Sequence, residues 1–224
     1  MIPWILLDKV PTPGNGKELR LYQRDTEYSI KVSTYELINS RVHSSEDALA
    51  RLACLKITNK LEQRILIGGL GMGFTLRVAL NNLKVRAHVT VAELVPVVVK
   101  WNRSFLAHLA GSPLIDKRVT VYEGDVADKI NTAQDLYHAI ILDVDNGTQG
   151  LTQKKNDSLY TLKGLKAAYT ALQSGGVLAV WSAGPDEAFT HRLRKAKFKV
   201  EETRVRRRSG CKGGGLTVVW IAMK

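Results

Sequence analysis

The chain has 224 residues, 45% of them hydrophobic and 24% charged, with a formal net charge of +12. That length and balance can bury one full core and predict one main domain with room for a small appendage. No stretch approaches the roughly 20 consecutive apolar residues of a membrane span, and the opening MIPWILLDKV is closed by Asp8 and Lys9, too early for a secretory core. The two cysteines, Cys54 and Cys211, have neither a metal-site pair nor a disulfide framework around them. Free thiols in a reducing cytoplasm, with no metal centre, are therefore expected.

Residues 1–43 read differently from the rest. Residues 11–16 (PTPGNG) form a turn cluster, and the period-2 segments 19–22 and 28–32 read as short antiparallel strands. A small β-hairpin appendage over 1–43 is expected, followed by a Rossmann-like domain over 44–224. Ser44 or Ser45, with the acidic first turn Glu46-Asp47, predicts an N-terminal cap for a helix over 46–55.

Strand candidates then follow at 65–67, 87–92, 119–122, 139–142, 177–181, 199–206 and 216–222. Helical patterns at 74–81, 97–110, 125–130 and 162–172 separate the first five. This alternation predicts an α/β fold, a mostly parallel seven-stranded sheet with helices on both faces. The last two strands are joined too tightly for a helical crossover and should form a C-terminal antiparallel hairpin. Such a layout resembles that of class I methyltransferases.

The stretch 64–77, RILIGGLGMGFTLR, places Gly69, Gly71 and Gly73 between a short apolar strand and a helix. Glycines there let the backbone turn tightly and approach a ligand with no Cβ in the way. Phe74 stands where a dinucleotide fingerprint wants a third small residue, which favours an S-adenosylmethionine-type sulfonium nucleoside over NAD.

Ligands of open α/β sheets bind beyond the carboxyl ends of the strands, and three acids stand there. Glu93 follows VTVA about twenty residues past the glycines, where a carboxylate can accept both ribose hydroxyls. Asp125 follows the next strand and suits an adenine amino group, a helix cap, or both. Asp143, after AIIL, opens DVDNG and is poised to orient or deprotonate an amine nucleophile, which attacks only when neutral. Asp145 and Asn146 read as supporting or turn residues. Trp101 and Trp181 read as packing residues, the latter near enough to the fifth strand's end to border an acceptor.

Between His191 and Lys212 ten Lys or Arg residues face only Glu201 and Glu202, so eight of the twelve net charges lie there. A block of this kind either solvates an exposed helix and hairpin or steers a polyanion such as RNA.

Residues 64–178, through ILIGGLGMGFTLR, VAELVP, EGDVAD, YHAIILDVDNG and SLYTLKGLKAAYTALQSGGVLAV, resemble the spermidine synthase family, a branch of the methyltransferase fold. The resemblance implies that Gly69, Gly71, Gly73, Glu93 and Asp125 hold an adenosyl group. It makes Asp143 the catalytic acid opening the family's D-S-S-D motif, and Tyr160 the start of a helix bordering the acceptor. It also implies a cytoplasmic enzyme acting on a small amine, a homodimer being the common assembly.

The chain departs from the family at informative places. Aligned on Leu76-Arg77, Met72 replaces the loop Asp that binds the aminopropyl ammonium of decarboxylated S-adenosylmethionine, and Asn146 replaces the last acid of D-S-S-D. Glu46, on the acceptor side, is a candidate for the lost anion; His43 is a weaker candidate base. The donor is thus either S-adenosylmethionine or its decarboxylated form, with aminopropyl and methyl transfer both open. The alternatives are a methyltransferase that holds RNA or protein through the block from Arg192 to Lys212, and a non-catalytic nucleoside-binding module.

Overall fold

The seven-stranded sheet runs in the order β10-β11-β9-β8-β5-β6-β7. Its parallel part is β5 (Arg64–Gly68), β6 (His88–Glu93), β7 (Val119–Glu123), β8 (Tyr137–Leu142) and β9 (Leu172–Ser182). At one edge β10 (Lys199–Arg206) and β11 (Leu216–Met223) pair antiparallel, with β11 lying against β9. The expected fold class is what the chain adopts. This computed structural model describes residues 2–11, 18–144, 157–206 and 216–224.

Alternation along the strands divides the core. Ile65, Ile67, Val89, Val91, Ile141 and Ala179 face one side, where α1 (Ser44–Leu55), α2 (Phe74–Asn82) and α3 (Pro96–Asn102) pack. Leu66, Ile140, Leu142, Leu178 and Val180 face the other, beneath α4 (Val126–Asn131), α6 (Leu162–Ala171) and α7 (Glu187–Lys195). A single-turn helix α5 (Asp157–Tyr160) precedes α6.

A second sheet of four antiparallel strands stands before the first: β1 (Ile5–Pro11), β2 (Glu18–Arg24), β3 (Glu27–Val32) and β4 (Tyr35–Asn39). Leu19 and Leu21 of β2 and Tyr28, Ile30 and Val32 of β3 are buried at every second position, whereas β1 and β4, the half-exposed edges, carry no such spacing and left no pattern in the sequence. Leu19, Leu21, Ile30 and Val32 of this sheet join the same core cluster as α1 and Trp101. The appendage therefore shares its hydrophobic interior with the larger sheet.

Two local expectations need correction. The helix expected over 97–110 stops at Asn102 and resumes only as a 3₁₀ turn at Ala107–Ala110. The backbone ladder breaks there, since the Ser104 and Leu106 N–H groups both turn to the Trp101 carbonyl, and the buried Asn102 amide ties the helix end to the glycine loop by donating to the Gly71 carbonyl at 2.8 Å as well as to Val98 of its own helix. The serine cap of α1 also fails. His43 stands at the N-cap without a capping bond, and the Ser45 hydroxyl donates to Glu46 at 2.5 Å instead.

Because β5 pairs with β6 on one side and β8 on the other, the strand order reverses beside it, and a crevice opens at its carboxyl end.

Candidate active site

The chain leaves β5 through three glycines with positive φ, Gly69 (88°), Gly71 (53°) and Gly73 (83°). Gly69 is the most constrained: a Cβ there would lie 2.2 Å from the Asp143 carbonyl oxygen. Close passage of two strand ends is what that glycine permits, and it brings the loop after β5 against the loop after β8. Asp143 N–H donating to the Gly68 carbonyl at 2.8 Å closes the same contact.

Glu93 braces this loop. Its two carboxylate oxygens accept the N–H groups of Leu70 and Val95, each at 2.9 Å, and the residue is 8% exposed. Asp125 caps α4 by accepting the Ala127 N–H at 2.9 Å. Gly69, Gly71, Glu93, Asp125 and Asp143 line one cavity of about 140 Å³, together with apolar side chains including Ile38 and Val126. Gly73 lies at the start of α2, where its positive φ turns the chain into the helix.

A second cavity of about 350 Å³ adjoins the first, with Leu37, Ile38, Gly71 and Asp143 common to both linings. Its wall includes Met72, Phe74 and Trp181, and its polar groups include Glu36, Ser45 and Glu46. Leu37 and Ile38 come from β4, so the four-stranded sheet covers both cavities.

Asp143 stands where the cavities meet. Thr75 Oγ1 donates to its Oδ2 at 2.5 Å, and the Trp181 indole donates to Oδ1 at 2.9 Å. Burial pushes its carboxyl up to about 7 and the charge of Glu46 adds to the rise, while the bonds from Thr75 and Trp181 oppose it. Burial likewise raises Glu46, against the Ser45 hydroxyl, which favours its ionised form. Asp143 can thus carry or release a proton near neutral pH.

Other candidates fall elsewhere. Tyr160 packs edge-on against Phe189 (5.8 Å) in the core on the opposite face of the sheet, and is absent from the lining of both cavities. Asp145, Asn146, Cys211 and the stretch 207–212 of the basic block lie outside the described residues. His43 stacks on Phe74 at 4.3 Å and shares a hydrogen with Asp47 at 2.8 Å. Within the basic block, Arg192 reaches Asp186 at 3.7 Å and donates to the Tyr160 carbonyl. Among the described residues no group of His, Cys, Asp and Glu could hold a metal ion, and no helix is long and apolar enough to cross a membrane.

Sequence reasoning missed Thr75 and the hydrogen-bonding role of Trp181. Neither belongs to a spaced motif; Thr75 reads as one turn of an amphipathic helix and Trp181 as the end of an apolar strand.

A doubly sided, mostly parallel seven-stranded α/β sheet that ends in an antiparallel hairpin is a fold of the class I methyltransferase type. Within that class the chain belongs to the spermine/spermidine synthase domain family, which it matches over residues 43–194. It is 29% identical over 150 residues to the polyamine aminopropyltransferase of Prochlorococcus marinus, an alignment spanning 64% of this chain and 51% of that protein. To the polyamine aminopropyltransferase of Sulfolobus acidocaldarius it is 30% identical over 123 residues, 55% of this chain and 39% of the other. The chain thus spans about half the length, or less, of the curated relatives it matches. Among solved structures, spermidine synthase from Thermotoga maritima superposes with a TM-score of 0.78 at 17% identity, covering 98% of this chain and 72% of that one. A spermidine synthase in complex with the transition-state analogue AdoDATO gives 0.76 at the same identity and coverage. These structures share the fold.

Proposed function

We propose that this protein transfers the aminopropyl group of decarboxylated S-adenosylmethionine to a small amine held at Asp143. The carrying observation is the charge of the two cavities: among the described residues lining them there is no Lys, Arg or His, whereas Glu36, Glu46, Glu93, Asp125 and Asp143 are all present. In a protein of net charge +12, the described part of the site thus carries acids and no cations. S-adenosylmethionine carries a carboxylate that would enter this site without a cationic partner among the described residues, a costly arrangement in a confined space. The decarboxylated donor carries only positive charge. The names of the curated relatives, both polyamine aminopropyltransferases, support the same reading.

In this reading the glycine loop, Glu93 and Asp125 hold the adenosyl part in the smaller cavity, and the amine enters the larger one. The residues fit such a donor: the backbone of Gly69 and Gly71 approaches without side chains, and both carboxylates border the space. Asp143 accepts a hydrogen bond from the amine and takes its proton, keeping the nitrogen lone pair free. That lone pair attacks the propyl carbon; an N–C bond forms as the C–S bond breaks, and its electron pair returns to sulfur as a neutral thioether. The sulfonium supplies the leaving group, so the chain's own work is alignment, proton removal and exclusion of water. Residues 1–43 serve as a cover for the catalytic unit 44–224, with Leu37 and Ile38 over both cavities.

Met72 favours the second reading, methyl transfer from S-adenosylmethionine. It is 2% exposed and puts a thioether, a weak uncharged acceptor, into the larger cavity. Mass spectrometry of the amine after incubation with each donor separates the two. Aminopropylated product from the decarboxylated donor alone supports the proposal, and methylated product from S-adenosylmethionine overturns it.

A further inference from the structure

We infer that the end of the larger sheet opposite the cavities is a docking surface for membranes that carry anionic lipids. The inference is independent of the transfer reaction proposed above and concerns the loops 56–63, 83–87 and 111–118, which enter the neighbouring strands β5, β6 and β7.

Hydrogen bonds tie these loops to one another. Gln63, fully buried before β5, donates to the Ile57 carbonyl at 3.0 Å and accepts the Lys84 N–H at 2.8 Å. Arg118, before β7, donates in turn to the carbonyls of Leu83 and Lys84 at 3.2 and 3.3 Å. Each loop nevertheless presents an aliphatic side chain to water: Leu61 is 79% exposed, Val85 87% and Ile115 83%. Exposed aliphatics scattered singly are ordinary, but one on each of three neighbouring loops marks a contact surface.

Cations surround these tips. Lys60 precedes Leu61, Lys84 and Arg86 flank Val85, Lys117 stands two residues beyond Ile115, and Arg64 opens β5. Among the described residues none of these five has an acid within ion-pair distance; the loops' own acids are Glu62 and Asp116, and Arg118 already holds Asp116 at 2.7 Å. A phosphate backbone would account for the cations but not for the aliphatic tips, and the three loops contain no Phe, Tyr or Trp on which a nucleic-acid base could stack. A bilayer surface accommodates both, since the acyl boundary takes the branched side chains and anionic headgroups take the cations. Such a contact needs no spanning helix. The cavities lie at the carboxyl ends of the same strands, so a protein seated this way turns them toward the solution.

Sedimentation of the intact chain with vesicles tests this, using phosphatidylcholine alone and phosphatidylcholine with about 30% phosphatidylserine. Binding should require the anionic lipid. Leu61→Ser, Val85→Ser and Ile115→Ser together leave the charge unchanged and should lower the partition coefficient at least about tenfold, through lost apolar contact. Lys84→Glu with Arg86→Glu should lower it about thirtyfold or more. Lys163→Glu with Lys166→Glu, an equal change of net charge on α6, should leave it within about threefold. All these side chains are exposed, and thermal melts check that each variant folds. Failure of the wild-type protein to bind anionic vesicles overturns the inference without any variant, and so does an equal loss in the two charge-reversed pairs. An unchanged partition in the triple serine variant also overturns it, and polyuridylate bound equally by that variant and the wild-type protein would then assign the face to nucleic acid.

Discussion

The Trp181 indole donates to Asp143 Oδ1 at 2.9 Å while Thr75 donates to Oδ2 at 2.5 Å, so two neutral donors from different elements hold the two oxygens of one carboxyl. Trp181 is the next-to-last residue of β9 and Thr75 lies in the first turn of α2. Both bonds favour the ionised acid, and both oppose the burial that has pushed it up to about 7.

Removing either donor should therefore move the proton later. In Trp181→Phe or Thr75→Val the midpoint of the pH profile of kcat/KM should rise by about 1 unit, the scale of a hydrogen bond to a charged group. Thr75→Ser, which keeps the hydroxyl, should restore the original midpoint. An unchanged midpoint with lowered activity would assign these side chains to packing alone.

Asp143→Asn should separate activity from stability. Transfer should fall by at least about a hundredfold, as expected for loss of a positioned base. Stability should move the other way above neutral pH. The carboxyl is raised in the folded state from its ordinary 3.8 to about 7, so between those values the folded protein holds a proton that the unfolded chain releases. Stability is lost as pH rises through that window, and the cost persists above it. The amide removes this term. Urea unfolding at pH 8 should show the variant more stable by about 2–4 kcal/mol, with the difference vanishing below pH 4.

Gly69→Ala should damage the site through the backbone. The new Cβ would sit 2.2 Å from the Asp143 carbonyl oxygen at a φ of 88°, and the strand ends would have to part. A loss of about 3 kcal/mol or more, with transfer abolished, is expected. Gly111→Ala is the control, since it has a φ of 71° but nothing within 4 Å of the added Cβ. That variant should lose only about 1–2 kcal/mol and keep its activity. Thermal melts and product assays on the two proteins together check the argument.

The parallel sheet was legible because each strand is a short apolar run followed by punctuation, and Ile65 to Ile67 before Gly69 is the clearest case. The strand-end acids were legible for the same reason: Glu93, Asp125 and Asp143 follow three such runs. Alternation cannot reveal partners across the fold. Thr75 and Asp143 are 68 residues apart, and their bond depends on how α2 leaves the glycine loop. The serine cap of α1 failed because local spacing could not show that Glu46 takes the Ser45 hydroxyl. The helix expected over 97–110 ends at Asn102, where Leu106 N–H goes to Trp101 and the Asn102 amide reaches Gly71, 31 residues away; neither choice is written in the local spacing. What the sequence withheld was the choice of partner wherever several local ones were available.

Calorimetric titration of the wild-type protein with both donors tests whether a lining that holds no Lys, Arg or His among the described residues selects a donor without a carboxylate. Decarboxylated S-adenosylmethionine should bind at least about tenfold more tightly than S-adenosylmethionine, the factor that corresponds to roughly 1.4 kcal/mol. Equal affinity, or a preference for S-adenosylmethionine, would contradict the account.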